Sequence, residues 1–193
     1  MKKFLQKTAI GFATSAIALA IFGAPADIAK VSADSGSASY SYFLGSEPLC
    51  SFVGPEACPD TAMAPNGDTV AITGTGTLGI HPKAVTGNGT FTHKNANGDV
   101  LATGTWTATK LIEFNSYGDA TPQGLPATFF GGFTQIQVHL SPEAGGSGFD
   151  GILQINCTLG NPPAGVAEGV RLDVPGVIHF NKQVSGDTLF TSL

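Results

Sequence analysis

Four histidines, three cysteines, one tryptophan and 14 acidic side chains are the groups from which this chain of 193 residues could build a reactive site. His81, His93, His139 and His179 are dispersed, without the H-x-H or H-E-x-x-H spacing that brings two imidazoles onto one metal. Asn95, Asn97 and Asp99 have the 1-3-5 oxygen spacing of a calcium loop, but its twelfth position is Trp106, where a bidentate glutamate is needed. A tight hairpin turn accounts for the same residues. Gly145-Gly146-Ser147-Gly148 approaches the G-x-S-x-G nucleophile elbow and fails at Phe149. Spacing therefore predicts no metal, no cofactor and no catalytic motif.

Residues distant in sequence can still meet. His93, His139, His179 and Glu113 fall in expected strands, and a barrel could bring two of them into hydrogen-bond reach as a general acid/base pair. Side-chain parity argues otherwise. His139 shares a face with Gln135 and Gln137, opposite Ile136, Val138 and Leu140, and His179 opposes Ile178 and Phe180. With aliphatic faces inward, both histidines point to solvent. The same parity gathers Gln135, Gln137 and His139 beside Gln154, Asn156 and Thr158. An amide-rich face of that kind can bind sugar hydroxyls through paired donors and acceptors. Trp106 is a further ligand-binding candidate, at the mouth of a barrel lumen.

Strands must position these groups, since nothing beyond the N-terminal region has helical periodicity. Residues 39–44 read as an edge strand, and residues 45–67, with four prolines and two cysteines, as a long stapled loop. Residues 69–80 alternate cleanly. Val70, Ile72, Gly74, Gly76, Leu78 and Ile80 face one way, and the central glycines mark a bend or a close approach. Residues 89–94 and 100–110 form a hairpin about Asn97-Gly98. Its second strand sets small residues and Trp106 against a threonine row, and residues 111–114 continue it past a bulge. Residues 115–129 read as a loop. Strands follow at 133–140, 149–159, 170–174, 177–181 and 188–191. The expected fold is all-β, a single antiparallel β-barrel or β-sandwich of about eight strands. The glycine-punctuated G-T-x-T strands resemble small secreted barrels of the dirigent or allene-oxide-cyclase kind, a likeness that carries no residue to a role.

Composition sets the compartment. Lys2, Lys3 and Lys7 precede an apolar run at residues 9–22, and small residues then offer cleavage after Ala33 or, alternatively, after Ala26. Fourteen apolar residues are short against the ~20 that span a bilayer. Residues 1–33 are thus expected to be a removed signal peptide and residues 34–193 the mature domain, secreted or extracytoplasmic and without a membrane span. That domain holds five bases and thirteen acids, net −8, which disfavours nucleic acid and anionic surfaces. In an oxidising compartment two of Cys50, Cys58 and Cys157 should pair. Cys50 with Cys58 is the local choice; a bond from either to Cys157 closes a longer loop and stabilises more in the chain-entropy model. Cys157 alternates with Leu153, Ile155 and Leu159, which places it on the apolar face as a small buried hydrophobe.

Three functions fit. The first is a non-catalytic module, structural or binding a polysaccharide or other cell-surface component. The second is a small barrel enzyme or hydrophobic-ligand carrier working in the lumen. The third is an ice- or surface-ordering protein acting through threonine faces.

Overall fold

The computed structural model describes residues 37–193; the expected signal peptide and both cleavage points lie outside the described residues. Eleven strands form: β1 (Ser39–Leu44), β2 (Asp60–Met63), β3 (Thr69–Gly79), β4 (Ala84–Lys94), β5 (Val100–Asp119), β6 (Phe129–Pro142), β7 (Phe149–Cys157), β8 (Gly169–Val174), β9 (Ile178–Phe180), β10 (Lys182–Ser185) and β11 (Thr188–Ser192). One short helix, α1 (Leu49–Phe52), and two 3-10 turns, at Pro55–Ala57 and Thr121–Gln123, are the other regular elements. Every strand pair is antiparallel. The all-β expectation holds, with eleven strands where about eight were expected and with β4, β5 and β6 longer than their expected ranges.

Following the pairs from β1 through β3, β4, β5, β6 and β11 returns to β1, so six strands close a ring. Tyr42 shows the closure, flanked by Gly76 of β3 and Phe190 of β11. The sheet also branches. Beyond the stretch of β3 that pairs with β1, residues 69–72 pair with β2, which carries β10 on its far side. Beyond the short β6–β11 contact, residues 132–140 pair with β7, which leads to β8 and β9. Ring and branches share one core.

Alternation puts the aliphatic faces inside. Val70, Ile72 and Leu78 of β3, Ile136, Val138 and Leu140 of β6, and Leu153 and Ile155 of β7 are buried together. Trp106 and Tyr42 are the largest fully buried side chains. Their room comes from glycines on neighbouring strands. A β-carbon on Gly74 would collide with the indole, and one on Gly89 would lie 2.6 Å from its Nε1. Gly76 and Gly87 make the same allowance for the Tyr42 ring. The bare α-carbons expected to mark a close approach do so, for an aromatic side chain as well as for backbone. Both polar tips are satisfied in the interior: the indole N–H donates to Thr73 O (2.9 Å) and the phenol to Thr86 O (2.8 Å).

Three expectations change. Residues 45–67 are not all loop, since β2 lies within them. The loop expected at 115–129 is shorter, because β5 runs on to Asp119 through three shifts of register against β6. A strand, β10, occupies Lys182–Ser185, where no alternation announced one. The disulfide is the local one, Cys50–Cys58, and Cys157 is free and buried. Under the stapled segment a smaller cluster of Leu49, Ala57 and Leu189 seals one end.

Candidate functional site

The two strands that carry the residues singled out by parity do pair, in a register that differs from the simple juxtaposition. Gln135 stands opposite Gln154, but Gln137 faces Ile152, His139 faces Asp150, and Asn156 faces Phe133. Thr158 lies past the end of β7 and turns to Glu168, donating through its amide (2.6 Å) and hydroxyl (2.8 Å). Across the next pair Gln154 faces Arg171 and Asn156 faces Gly169. Residues opposite one another in an antiparallel pair share a face. Phe133, Gln154, Asn156 and Arg171 therefore stand on one side of the β6–β7–β8 sheet.

That side holds the largest cleft found among the described residues, about 420 Å³, lined by Tyr117, Phe133, Gln154, Asn156, Arg171 and Gln183 with the backbone of residues 165–167 as a rim. Each wall has an identifiable anchor. Tyr117, near the end of the extended β5, donates its hydroxyl to Asn156 Oδ1 (2.8 Å), and Asn156 Nδ2 donates to Ala167 O, which holds the rim down. Burial raises the Tyr117 phenol above its ordinary pKa. Gln183 comes from β10. Gln154, half-buried, and Arg171, exposed, have their polar ends free for a guest. Two half-buried aromatic rings, three amides and one guanidinium make a recess whose surface is mostly apolar, with a few polar ends set into it.

The remaining candidates lie elsewhere. Gln135 and Gln137 are on the same face, half-buried, outside the cleft. His139 is a little farther along, its Nδ1 2.9 Å from Asp150 Oδ1. Trp106 is inside the core, 1% exposed, and meets no solvent at a mouth. The histidines do not meet each other or Glu113. His93 Nε2 pairs with Asp68 (3.1 Å), and His179 Nδ1 contacts Asp173. Asn95 Oδ1 accepts the amides of Asn97 and Asp99 (2.9 Å each), so the calcium-like spacing serves the hairpin turn.

The sequence reading missed Tyr117, Phe133, Arg171 and Gln183. Phe133 was within reach, since it shares odd parity with Gln135 and Gln137. Arg171 follows from the same alternation once β8 pairs with β7. Tyr117 fell in an expected loop and Gln183 in an unread strand, and neither had a usable signal.

Behind the face lies a set of buried acids. Glu168 accepts hydrogen bonds from the amides and hydroxyls of both Thr158 and Thr188 (2.5–2.9 Å), and burial still lifts its pKa above the carboxylate range. Asp60 is fully buried and neither of its oxygens has a hydrogen-bond partner. Burial first, then the charges of Glu168 and Asp187, push its pKa to about 9, so it carries its proton at neutral pH. Burial likewise pushes the Cys157 thiol to about 12, which makes it a poor nucleophile. Among the described residues no group of three or more His, Cys, Asp or Glu side chains has the geometry to hold a metal ion. No helix of the described residues is long and apolar enough to cross a membrane.

Comparison with family models, with curated proteins and with solved structures finds nothing that this chain matches.

Proposed function

We propose that this is an exported, non-catalytic β-domain that binds carbohydrate at the cell surface through the cleft on the outer β6–β7–β8 face. One observation carries the reading: the largest cleft combines two aromatic rings, Tyr117 and Phe133, with the amides of Gln154, Asn156 and Gln183. Sugars offer an apolar C–H face and a ring of hydroxyls that both donate and accept. Aromatic walls suit the first, and the amide of Gln154, with an acceptor and two donors, suits the second, while Asn156 is engaged by Tyr117 and Ala167 and holds the wall in place. The basic n-region and apolar run of residues 1–33 support export, as does a disulfide in the domain.

The interior favours this outer site over a lumenal enzyme or carrier. Trp106, Tyr42, Phe190 and Leu78 are each buried to 1% exposure or less and occupy the centre of the ring. The threonine rows also have a simpler use. Thr73 and Thr90 share a hydrogen bond across β3 and β4 (2.7 Å), as do Thr77 and Thr86 (2.8 Å), so these hydroxyls already partner one another.

Binding to a panel of labelled polysaccharides, read by affinity electrophoresis, tests the proposal. At least one should retard the protein, and Tyr117→Ala with Phe133→Ala should release it. Failure of every polysaccharide, with the domain shown folded by its tryptophan emission, would overturn the sugar reading.

A further inference from the structure

We infer that the cleft selects a saccharide bearing a carboxylate, a uronic-acid unit, and that Arg171 is the group that recognises it. The inference rests on the cleft being a sugar site and adds the class of sugar.

Its basis is a local reversal of charge. Residues 34–193 carry thirteen acids and five bases, and Arg171 is the only arginine in the whole chain. That one guanidinium stands in the largest cleft, and no carboxylate lines the recess with it. It enters no ion pair among the described residues, where the three ion pairs are all between a histidine and an aspartate. The acids near it in sequence are otherwise engaged. Asp173, two residues along the same face, shares a neighbouring recess with Arg171 and there contacts His179, while Glu168 is held by Thr158 and Thr188. A solvated surface cation in an acid-rich protein ordinarily has acids within reach. Here the cation has neutral amides and aromatic rings on the side of the cleft, and on its other side the one nearby acid, Asp173, which contacts His179.

Geometry narrows the anion. A guanidinium is a planar fork whose parallel N–H donors match the two oxygens of a carboxylate. Gln154 lies directly across the β7–β8 pair from Arg171, so an amide donor flanks the fork. A uronate ring resting on Tyr117 and Phe133 would place its carboxylate at the edge of the ring and its hydroxyls toward Gln154. A phosphate monoester, tetrahedral and more heavily charged, would meet a single cation, and a sulfate ester, singly charged, presents a tetrahedral group of oxygens in place of a planar pair. The net −8 of the domain opposes approach of a polyanion from afar, but at physiological salt that field is screened within about 8 Å, leaving the short-range fork to decide.

Oligogalacturonide and its methyl-esterified counterpart have the same backbone and differ only in the carboxylate. Calorimetry at 0.15 M salt on the folded domain should give at least about a tenfold preference for the free acid. Arg171→Gln should abolish the preference while leaving a residual affinity equal for both, and Arg171→Lys should restore only part of it. Arg171 is exposed, so neither variant threatens the fold. Equal affinity of the wild type for acid and ester, or a preference unchanged by Arg171→Gln, overturns this inference. The sugar site itself survives if neutral glycans still bind in a Tyr117-dependent way. Binding to no saccharide at all removes both.

Discussion

Single positions in this domain are set by what they leave empty. Trp106 fits because two strands away from it Gly74 and next to it Gly89 offer no β-carbon, and because Thr73 O accepts its N–H. Gly89→Ala would press a methyl group between Trp106 Nε1 and the Thr73 carbonyl, and neither neighbour is the free end of a flexible chain. Overpacking of a filled core costs about 1–3 kcal/mol, and loss of the indole hydrogen bond would add to it. Urea unfolding followed by the lone tryptophan's emission should show that loss of stability, with the native emission shifted from wild type. An unchanged midpoint would mean that the ring has space elsewhere. The sequence set small residues beside Trp106 on its own strand and placed the indole at the mouth of a lumen. The glycines that matter sit on β3 and β4, and only the register of three strands brings them to the ring. Arg171 teaches the same lesson for the site: its type was legible, its neighbours were not.

Elements obeyed the alternation rule where they had room to display it. The strands β3, β6 and β7 each show four or more inward aliphatic or small residues in period two, and each was legible. β2 and β10 show one or two, flanked by prolines or by polar residues, and a four-residue strand carries too little pattern to separate from loop. What makes β2 a strand is its partner on each side, β3 and β10. Its first residue, Asp60, points into the core and has an energetic consequence there. An aspartate with a native pKa of about 9 and an unfolded value near 4 holds its proton more tightly when folded. Its contribution to stability is whole below about pH 4 and is lost progressively as pH rises toward 9. Burial raises Glu168 in the same direction, which adds to the slope. Gln183 Oε1 of β10 is another buried acceptor without a partner, so a proton on Asp60 supplies a donor that this part of the core otherwise lacks. Asp60→Asn keeps the shape, removes the titration and offers an N–H. Urea midpoints at pH 5, 7 and 9 should fall steadily for the wild type and much less for Asp60→Asn, which should be the more stable of the two at pH 9. Parallel pH profiles for the two proteins would show that Asp60 ionises freely and that the slope has another source.

At the scale of the molecule the decisive event is closure, and closure is the feature least visible in the sequence. β1 and β11 are the first and last strands described, and pairing Tyr40 with Ser192 joins residues across nearly the whole domain. Nothing in either strand names the other; both are short alternating segments that any edge would accept. Their pairing removes two exposed edges from the ring and buries Tyr42 and Phe190 against each other's strands. It also brings the ends of the described chain together, with the Leu193 amide donating to Ser39 O (3.0 Å). The order of the strands in the chain is then incidental to the ring, provided that every pair can still form. A circular permutant tests this directly. Residue 193 would be joined to residue 37 through a short glycine-serine linker, and the chain opened between Gly146 and Ser147. That loop joins β6 to β7, is exposed, and has Gly145, Gly146 and Gly148 at positive φ with no neighbour near the first two. Cutting there severs no strand pair and leaves the disulfide segment and the cleft intact. The permutant should show the same near-ultraviolet dichroism and buried tryptophan emission as the parent. Any loss of stability should stay within a few kcal/mol, because the new linker replaces one loop closure with another of similar length. If the permutant is soluble but lacks the native tryptophan environment, the β1–β11 clasp must form from chain ends that are free to search, and closure depends on chain order after all.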